Sequence, residues 1–140
     1  MEALYSTEAL STGAGRDGRV AVAGSDLAFD LAVPKEMGGS GAGANPEQLF
    51  AAGYAACFHS ALQAVARGRK ISIEGSSVGS RVSIGSNGEG GFELAVQLEV
   101  VIPELDHDTA QELADAAHQV CPYSNATRGN IDVRVTVTDD

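Results

Sequence analysis

Apolar and polar positions change rhythm several times along the chain, and each change marks an element. Two short apolar stretches, Val20 to Ala23 and Leu27 to Val33, alternate with the turn-forming segments "STGAGRDGR" and "AGSDL". That spacing predicts an N-terminal β-meander. The glycine-rich "PKEMGGSGAGANPEQ" follows, too long for a simple connector in a compact domain and of the kind that borders sites.

At Asn45 the period lengthens. Asn45 is suited to cap a helix, Pro46 to its first position, and Glu47 and Gln48 to its first turn. The predicted helix runs to about Arg67 and stops at Gly68, with Leu49, Gly53, Cys57, Ala61 and Ala64 on one apolar stripe that Phe50, Tyr54 and Phe58 widen. Being rich in Ala and Gly and apolar most of the way round, it belongs in the core, approached closely from several sides.

From Ser76 the period is two. Val78, Val82 and Ile84 lead through "GSNGEGG" to Phe92, Leu94, Val96, Leu98, Val100 and Ile102, which predicts a β-hairpin. Asp106 or Asp108 then caps a second helix whose apolar side is Ala110, Leu113, Ala114, Ala117 and Cys121. Pro122 stops it, because the residue before a proline is pushed out of the α region. A mobile polar loop, "YSNATRGN", is expected next, and Ile131, Val133, Val135 and Val137 alternate as a final strand. The order βββ-α-ββ-α-β predicts a single α+β domain over residues 1–140, with antiparallel strands packed around two core helices.

Composition narrows the class. With 140 residues and 44% of them hydrophobic, the chain has enough apolar surface to bury a core without metals or cross-links. Two cysteines are too few for a secreted disulfide scaffold, and the start shows no secretory leader, so a soluble protein of the reducing cytoplasm is expected. No uncharged stretch reaches the roughly 18 apolar residues of a membrane span. A net charge of −10, with nine Lys and Arg gathered into no stripe, argues against nucleic acid as a partner.

The two cysteines carry the candidate chemistry. Cys57 and Cys121 each lie on the apolar side of a predicted helix, so packing of those helices would place the thiols across one contact. Small neighbours would allow the Cα separation of about 4.4 to 6.8 Å that a disulfide needs. Two independent buried thiols acting as small hydrophobes fit the same pattern. Neither cysteine is activated by its own helix: Cys57 is mid-helix, and Cys121 is at a helix C-terminus, where the dipole disfavours a thiolate. A thiolate would need a cation, and Arg16, Arg19, Lys35 and Arg128, all in loops, are the ones free to supply it.

Other chemistries fit less well. Cys57 with His59, and His118 with Cys121, have the composition of a tetrahedral zinc site, but residues two apart on a helix point about 200° from each other. No metal site is expected. His107 reads as a helix-start residue, no G-x-S-x-G elbow is present, and "NAT" at Asn125 to Thr127 is a chance match to the glycosylation pattern.

The segments "GRDGRV", "PKEMGGSG", "NPEQLFAAGYAACF", "GGFELAVQLEV" and "AHQVCPYSNATRGNIDV" together resemble the organic hydroperoxide resistance (Ohr) branch of the OsmC/Ohr family, thiol-dependent peroxidases, over nearly the whole chain. The resemblance implies an intertwined homodimer with two active sites at the subunit interface. It also implies that Cys57 is the peroxidatic thiolate, Cys121 the resolving thiol, and Arg16 with Glu47 the activating pair, Arg19 being the alternate. Alkyl and fatty-acid hydroperoxides are the implied substrates. The implied reductant is an external dihydrolipoyl group, carried by a lipoylated protein or as dihydrolipoamide, with no bound cofactor. Tyr123, Phe92 and Met37 are candidates for the pocket wall. The sequence departs from the family pattern in "GAGRDGR", which lacks a second glycine before the arginine, and at Ala44, where threonine is common. Both bear on the placing of Arg16 and Glu47. A peroxide sensor, or an apolar-ligand-binding protein using the same cleft without turnover, is the alternative reading.

One geometric consequence follows. Ten residues separate Glu47 from Cys57, about 15 Å along a straight helix and about 80° around it. Either the helix breaks near Gly53, or Arg16 and Glu47 reach Cys57 from a second chain.

Overall fold

The computed structural model describes residues 1–139 and divides the chain into two compact units, 1–49 and 50–140. The first unit is the expected meander. Strands β1 (Ala9–Thr12), β2 (Arg19–Val22) and β3 (Ala28–Asp30) pair antiparallel in that order. Between β1 and β2 lies a 3₁₀ turn, Gly15–Asp17, entered with φ +61° at Gly15, a left-handed conformation that glycine adopts without strain. Gly18 closes the turn where a Cβ would fall 2.2 Å from the Thr12 carbonyl oxygen. Two glycines therefore fix how the turn presents Arg16. Only Ala32 and Asn45 are buried among the described residues of this unit, while Leu10 is 68% and Leu27 57% exposed.

Helix α1 (Pro46–Gly68) begins at the end of the first unit and continues into the second. Its start is a reciprocal capping box: Asn45 Oδ1 accepts from the Gln48 N–H at 2.8 Å, and Gln48 Oε1 accepts from the Asn45 N–H at 3.1 Å. The buried stripe is rotated by about one residue from the one expected. Tyr54, Phe58, Ala61, Leu62 and Ala66 are buried, Leu49 and Ala64 are exposed, and Cys57 sits half-buried at the edge. The large rings claim the packed face because they bury the most apolar area, which moves the thiol toward the surface of the core.

In the second unit the hairpin β4 (Ser77–Ser86) and β5 (Phe92–Val101) forms with Val82 opposite Val96 and Ser80 opposite Leu98. Asp106 caps α2 (His107–Val120) by accepting from the Thr109 N–H at 2.9 Å. The α2 side predicted to be apolar is buried throughout, from Ala110 to Cys121. Core residues of α1 and α2 meet Val96, Leu98, Val100 and Ile102 of the sheet. The length and apolarity of α1 are those of a membrane span, but its large rings belong to this core.

Two expectations are corrected here. Pro122 does not open a mobile loop: it is the first residue of a third helix, α3 (Pro122–Thr127), after a single extended residue, Cys121. Proline is favoured at that position because the missing N–H would be unpaired there anyway. The last strand, β6 (Val133–Val137), pairs parallel with β5 rather than antiparallel. The residues between β5 and β6 include two helices, the kind of long crossover that parallel pairing requires. The architecture is α+β, with two three-stranded sheets and three α-helices among the described residues.

Candidate active site

The packing of α2 and α3 against α1 brings the two cysteines together. Cys121 Sγ lies 3.5 Å from Cys57 Sγ, and both thiols are free. Cys121 is fully buried at the junction of α2 and α3, whereas Cys57 is partly open. Burial pushes the Cys57 thiol above its ordinary value. The backbone N–H of Tyr123 pulls the other way, and the Cys121 thiol in contact with the same sulfur raises the value further. Among the described residues of this unit, no cation is among the groups that act on that thiol.

The first unit has an ion pair of its own. Arg16 donates from both terminal nitrogens to Glu47, at 2.8 Å to Oε2 and 2.7 Å to Oε1, in a fork that matches the two carboxylate oxygens. The hydrogen bonds from Arg16 hold the Glu47 carboxyl below its usual range, and the Arg16 value is raised in return. Arg19, the alternate, instead pairs with Asp30 at 2.6 Å on the exposed sheet. Arg128 is spent on α2 and α3, donating to the His118 carbonyl at 2.6 Å and to Asn125 Oδ1 at 2.8 Å. Helix α1 runs without a break past Gly53, so Glu47 and Cys57 keep the separation of about 15 Å along it. The break near Gly53 does not occur.

A polar network not foreseen in the sequence fixes α3. The buried hydroxyl of Tyr54 on α1 lies 2.9 Å from Ser124 Oγ and 3.1 Å from Thr127 Oγ1, and Ser124 Oγ lies 2.7 Å from His118 Nδ1. Buried hydroxyls need such partners, and here they tie three helices together beside Cys121. Burial first, then the Arg128 charge, pushes His118 below its ordinary value, while Asp115 opposes them. His59 turns elsewhere, to Ser76 Oγ at 3.0 Å. The sequence signal for α3 was Pro122 followed by Ser124 and Thr127 three residues apart, a spacing that puts both hydroxyls on one helical face.

The candidates for the pocket wall separate. The Tyr123 ring packs against Phe50 and Tyr54, with ring centroids 5.9 and 5.6 Å apart. Phe92 is 73% exposed, and with Phe50, Leu94 and Ile131 it lines a cavity of about 680 Å³ whose rim carries Glu89 and Glu93. Met37 ends a 3₁₀ turn, Lys35–Met37, just before the glycines of the long segment in the first unit, and is 43% exposed.

An α+β scaffold holding two free thiols within 4 Å defines a protein with a paired-cysteine site. A family model described as OsmC-like protein matches residues 38–136. The organic hydroperoxide resistance protein of Xanthomonas axonopodis pv. citri is 52% identical over 136 residues, covering 96% of this chain and 94% of the relative. An organic hydroperoxide resistance protein from Elizabethkingia anophelis, with thiocyanate bound, superposes with a TM-score of 0.94 at 48% identity, covering each chain completely. The OhrB structure from Bacillus subtilis gives 0.87 at 44% identity, covering 97% of this chain and all of that one. The chain belongs to the OsmC/Ohr family, in its organic hydroperoxide resistance branch. That membership supports a role in peroxide detoxification.

Proposed function

We propose that this protein is a two-cysteine peroxidase that reduces organic hydroperoxides. The observation that carries the reading is the 3.5 Å approach of Cys57 and Cys121 with only Cys57 partly open. The Cys57 thiolate attacks the terminal oxygen of R–OOH, the O–O bond breaks, and the alkoxide leaves as the alcohol after taking a proton. Cys57 is then a sulfenic acid. Cys121 attacks that sulfur, its proton leaves with the hydroxyl as water, and the Cys57–Cys121 disulfide forms. An external dihydrolipoyl group, free or on a lipoylated protein, returns both thiols by exchange and becomes the cyclic disulfide.

Arg16 is the activating cation, favouring the Cys57 thiolate and donating to the peroxide oxygens, and Glu47 fixes the guanidinium by its two-point grip. The continuous α1 supports delivery of this pair by a second chain. So does the first unit, whose sheet has almost no buried residues: a three-stranded sheet with both faces open lacks the core it needs for stability. An intertwined homodimer, each copy covering the other's sheet, satisfies both observations.

The aromatic cluster of Phe50, Tyr54 and Tyr123, and the apolar side chains of Phe50, Phe92, Leu94 and Ile131 in a cavity that polar residues also line, support alkyl and fatty-acid hydroperoxides over hydrogen peroxide, since each buried CH₂ contributes about 0.8 kcal/mol. A cytoplasmic location fits a site that must return to the dithiol state. The test is dihydrolipoamide-coupled turnover with hydrogen peroxide, an alkyl hydroperoxide and a fatty-acid hydroperoxide side by side. Faster turnover of the organic substrates is expected, and a protein that consumes none of them contradicts the reading.

A further inference from the structure

Gly53 occupies the middle of α1, one turn before Cys57, where glycine is a poor helix former. A Cβ at this position would fall 2.8 Å from the Tyr123 hydroxyl oxygen and 3.3 Å from two ring carbons. The hydroxyl must move and the ring carbons must give by a few tenths of an ångström, in a ring already packed against Phe50 and Tyr54. Tyr123 is the second residue of α3. Its backbone N–H favours the Cys57 thiolate, and Cys121, whose sulfur lies 3.5 Å from that of Cys57, precedes it by two residues. Immediately beside Gly53, the Tyr54 hydroxyl grips Ser124 and Thr127 of the same helix. A shift of α3 away from Gly53 must therefore strain those hydrogen bonds or swing the ring outward.

We propose that Gly53 is a positioning residue for the thiol pair: the side chain it lacks lets the Tyr123 ring lie across α1, and that contact sets where the first turn of α3 holds Cys121 and the Tyr123 N–H against Cys57. The consequence for turnover rests on the peroxidase reading; the consequence for the thiol does not.

Helix propensity alone makes the opposite forecast, that Gly53→Ala strengthens α1 and leaves the thiol unchanged. The test uses the reduced full-length protein, alkylated with iodoacetamide across a pH series and read at Cys57 by peptide mass spectrometry, with turnover of an alkyl hydroperoxide in parallel. Gly53→Ala is expected to slow Cys57 alkylation near neutral pH by about tenfold, a shift of about one unit in its titration. Adding Tyr123→Phe, which removes the nearest atom, is expected to recover part of that loss. In a Tyr123→Ala background, Gly53→Ala is expected to have no further effect, because interacting positions couple and independent ones do not. Titration of Gly53→Ala as in the wild type overturns the proposal, as does an equal effect with and without the Tyr123 ring. If the titration shifts but the wild type turns over no hydroperoxide, the positioning role is supported and the peroxidase reading fails.

Discussion

The Cys57 and Cys121 sulfurs stand 3.5 Å apart although 64 positions separate them in the chain. That gap is short enough for a bond to form after a small movement, so resolution needs no large rearrangement of the segment after Cys121. Cys57→Ser is expected to lower steady-state turnover by on the order of a thousandfold, as loss of a nucleophile does. Cys121→Ser should still consume one equivalent of hydroperoxide per chain and then stall, with a sulfenic acid that dimedone traps at Cys57. Full steady-state activity in Cys121→Ser would remove Cys121 from the mechanism.

The Arg16–Glu47 fork predicts graded losses. Arg16→Lys keeps the charge but not the two-point geometry, and Arg16→Ala loses both. Turnover should fall in that order, with Arg16→Ala down by about a hundredfold, the usual effect of losing a donor to developing negative charge. Equal activity in the three proteins would contradict an activating role.

The same pair sets an acid limit. Unfolded, Glu47 titrates near its ordinary 4.5, and Arg16 holds the folded value lower. Its contribution to stability is complete above the unfolded value and is lost as pH falls through the folded one. Thermal unfolding should show the wild type more stable than Glu47→Gln near neutral pH, with the gap closing below about pH 4.5.

His118 has the same sense of pH dependence for a different reason. The unfolded chain takes up a proton there from its ordinary 6.5 downward, while burial and Arg128 hold the folded ring neutral to lower pH, Asp115 opposing them. Stability is therefore lost as pH falls from about 6.5 to the folded value. His118→Asn should flatten that part of the stability profile. Ser124→Ala, which leaves His118 Nδ1 without its partner and removes one from Tyr54, is expected to cost about 1–3 kcal/mol in denaturant unfolding.

Sharing of the site between chains is testable by mixing. Co-folding Cys57→Ser chains with Arg16→Ala chains assembles, in each mixed dimer, one Cys57 with the Arg16 of the other chain. If the site is shared, random pairing restores about a quarter of wild-type activity, since half of the dimers are mixed and each has one intact site. If both residues must come from one chain, the mixture stays as inactive as its parents.

Elements whose side-chain rhythm and caps agree were legible in the sequence. Asn45 and Pro46 marked the start of α1, Asp106 was one of two candidate caps for α2, and the alternation of Val96, Leu98 and Val100 marked the buried face of β5. Helix α3 was not legible, because a proline that ends one helix and one that begins the next look alike, and Ser124, Asn125 and Thr127 have the composition of a loop. The parallel pairing of β6 was hidden for a related reason: alternation fixes which side chains face inward, not the direction of the neighbouring strand. At the site, the Arg16–Glu47 fork and the Cys57–Cys121 approach were expected through resemblance to a family, since residue spacing alone left separate thiols open. Tyr54 was read only as a ring, and its hydroxyl became important once α3 existed to meet it.

The most direct test of the two-cysteine account is a single turnover without reductant. One equivalent of an alkyl hydroperoxide is added to the fully reduced protein, followed by thiol counting and peptide mapping. The account predicts stoichiometric conversion to the alcohol, loss of both thiols, and a Cys57–Cys121 cross-linked peptide within one chain. Consumption of the hydroperoxide with Cys121 still free, or no consumption at all, would contradict it.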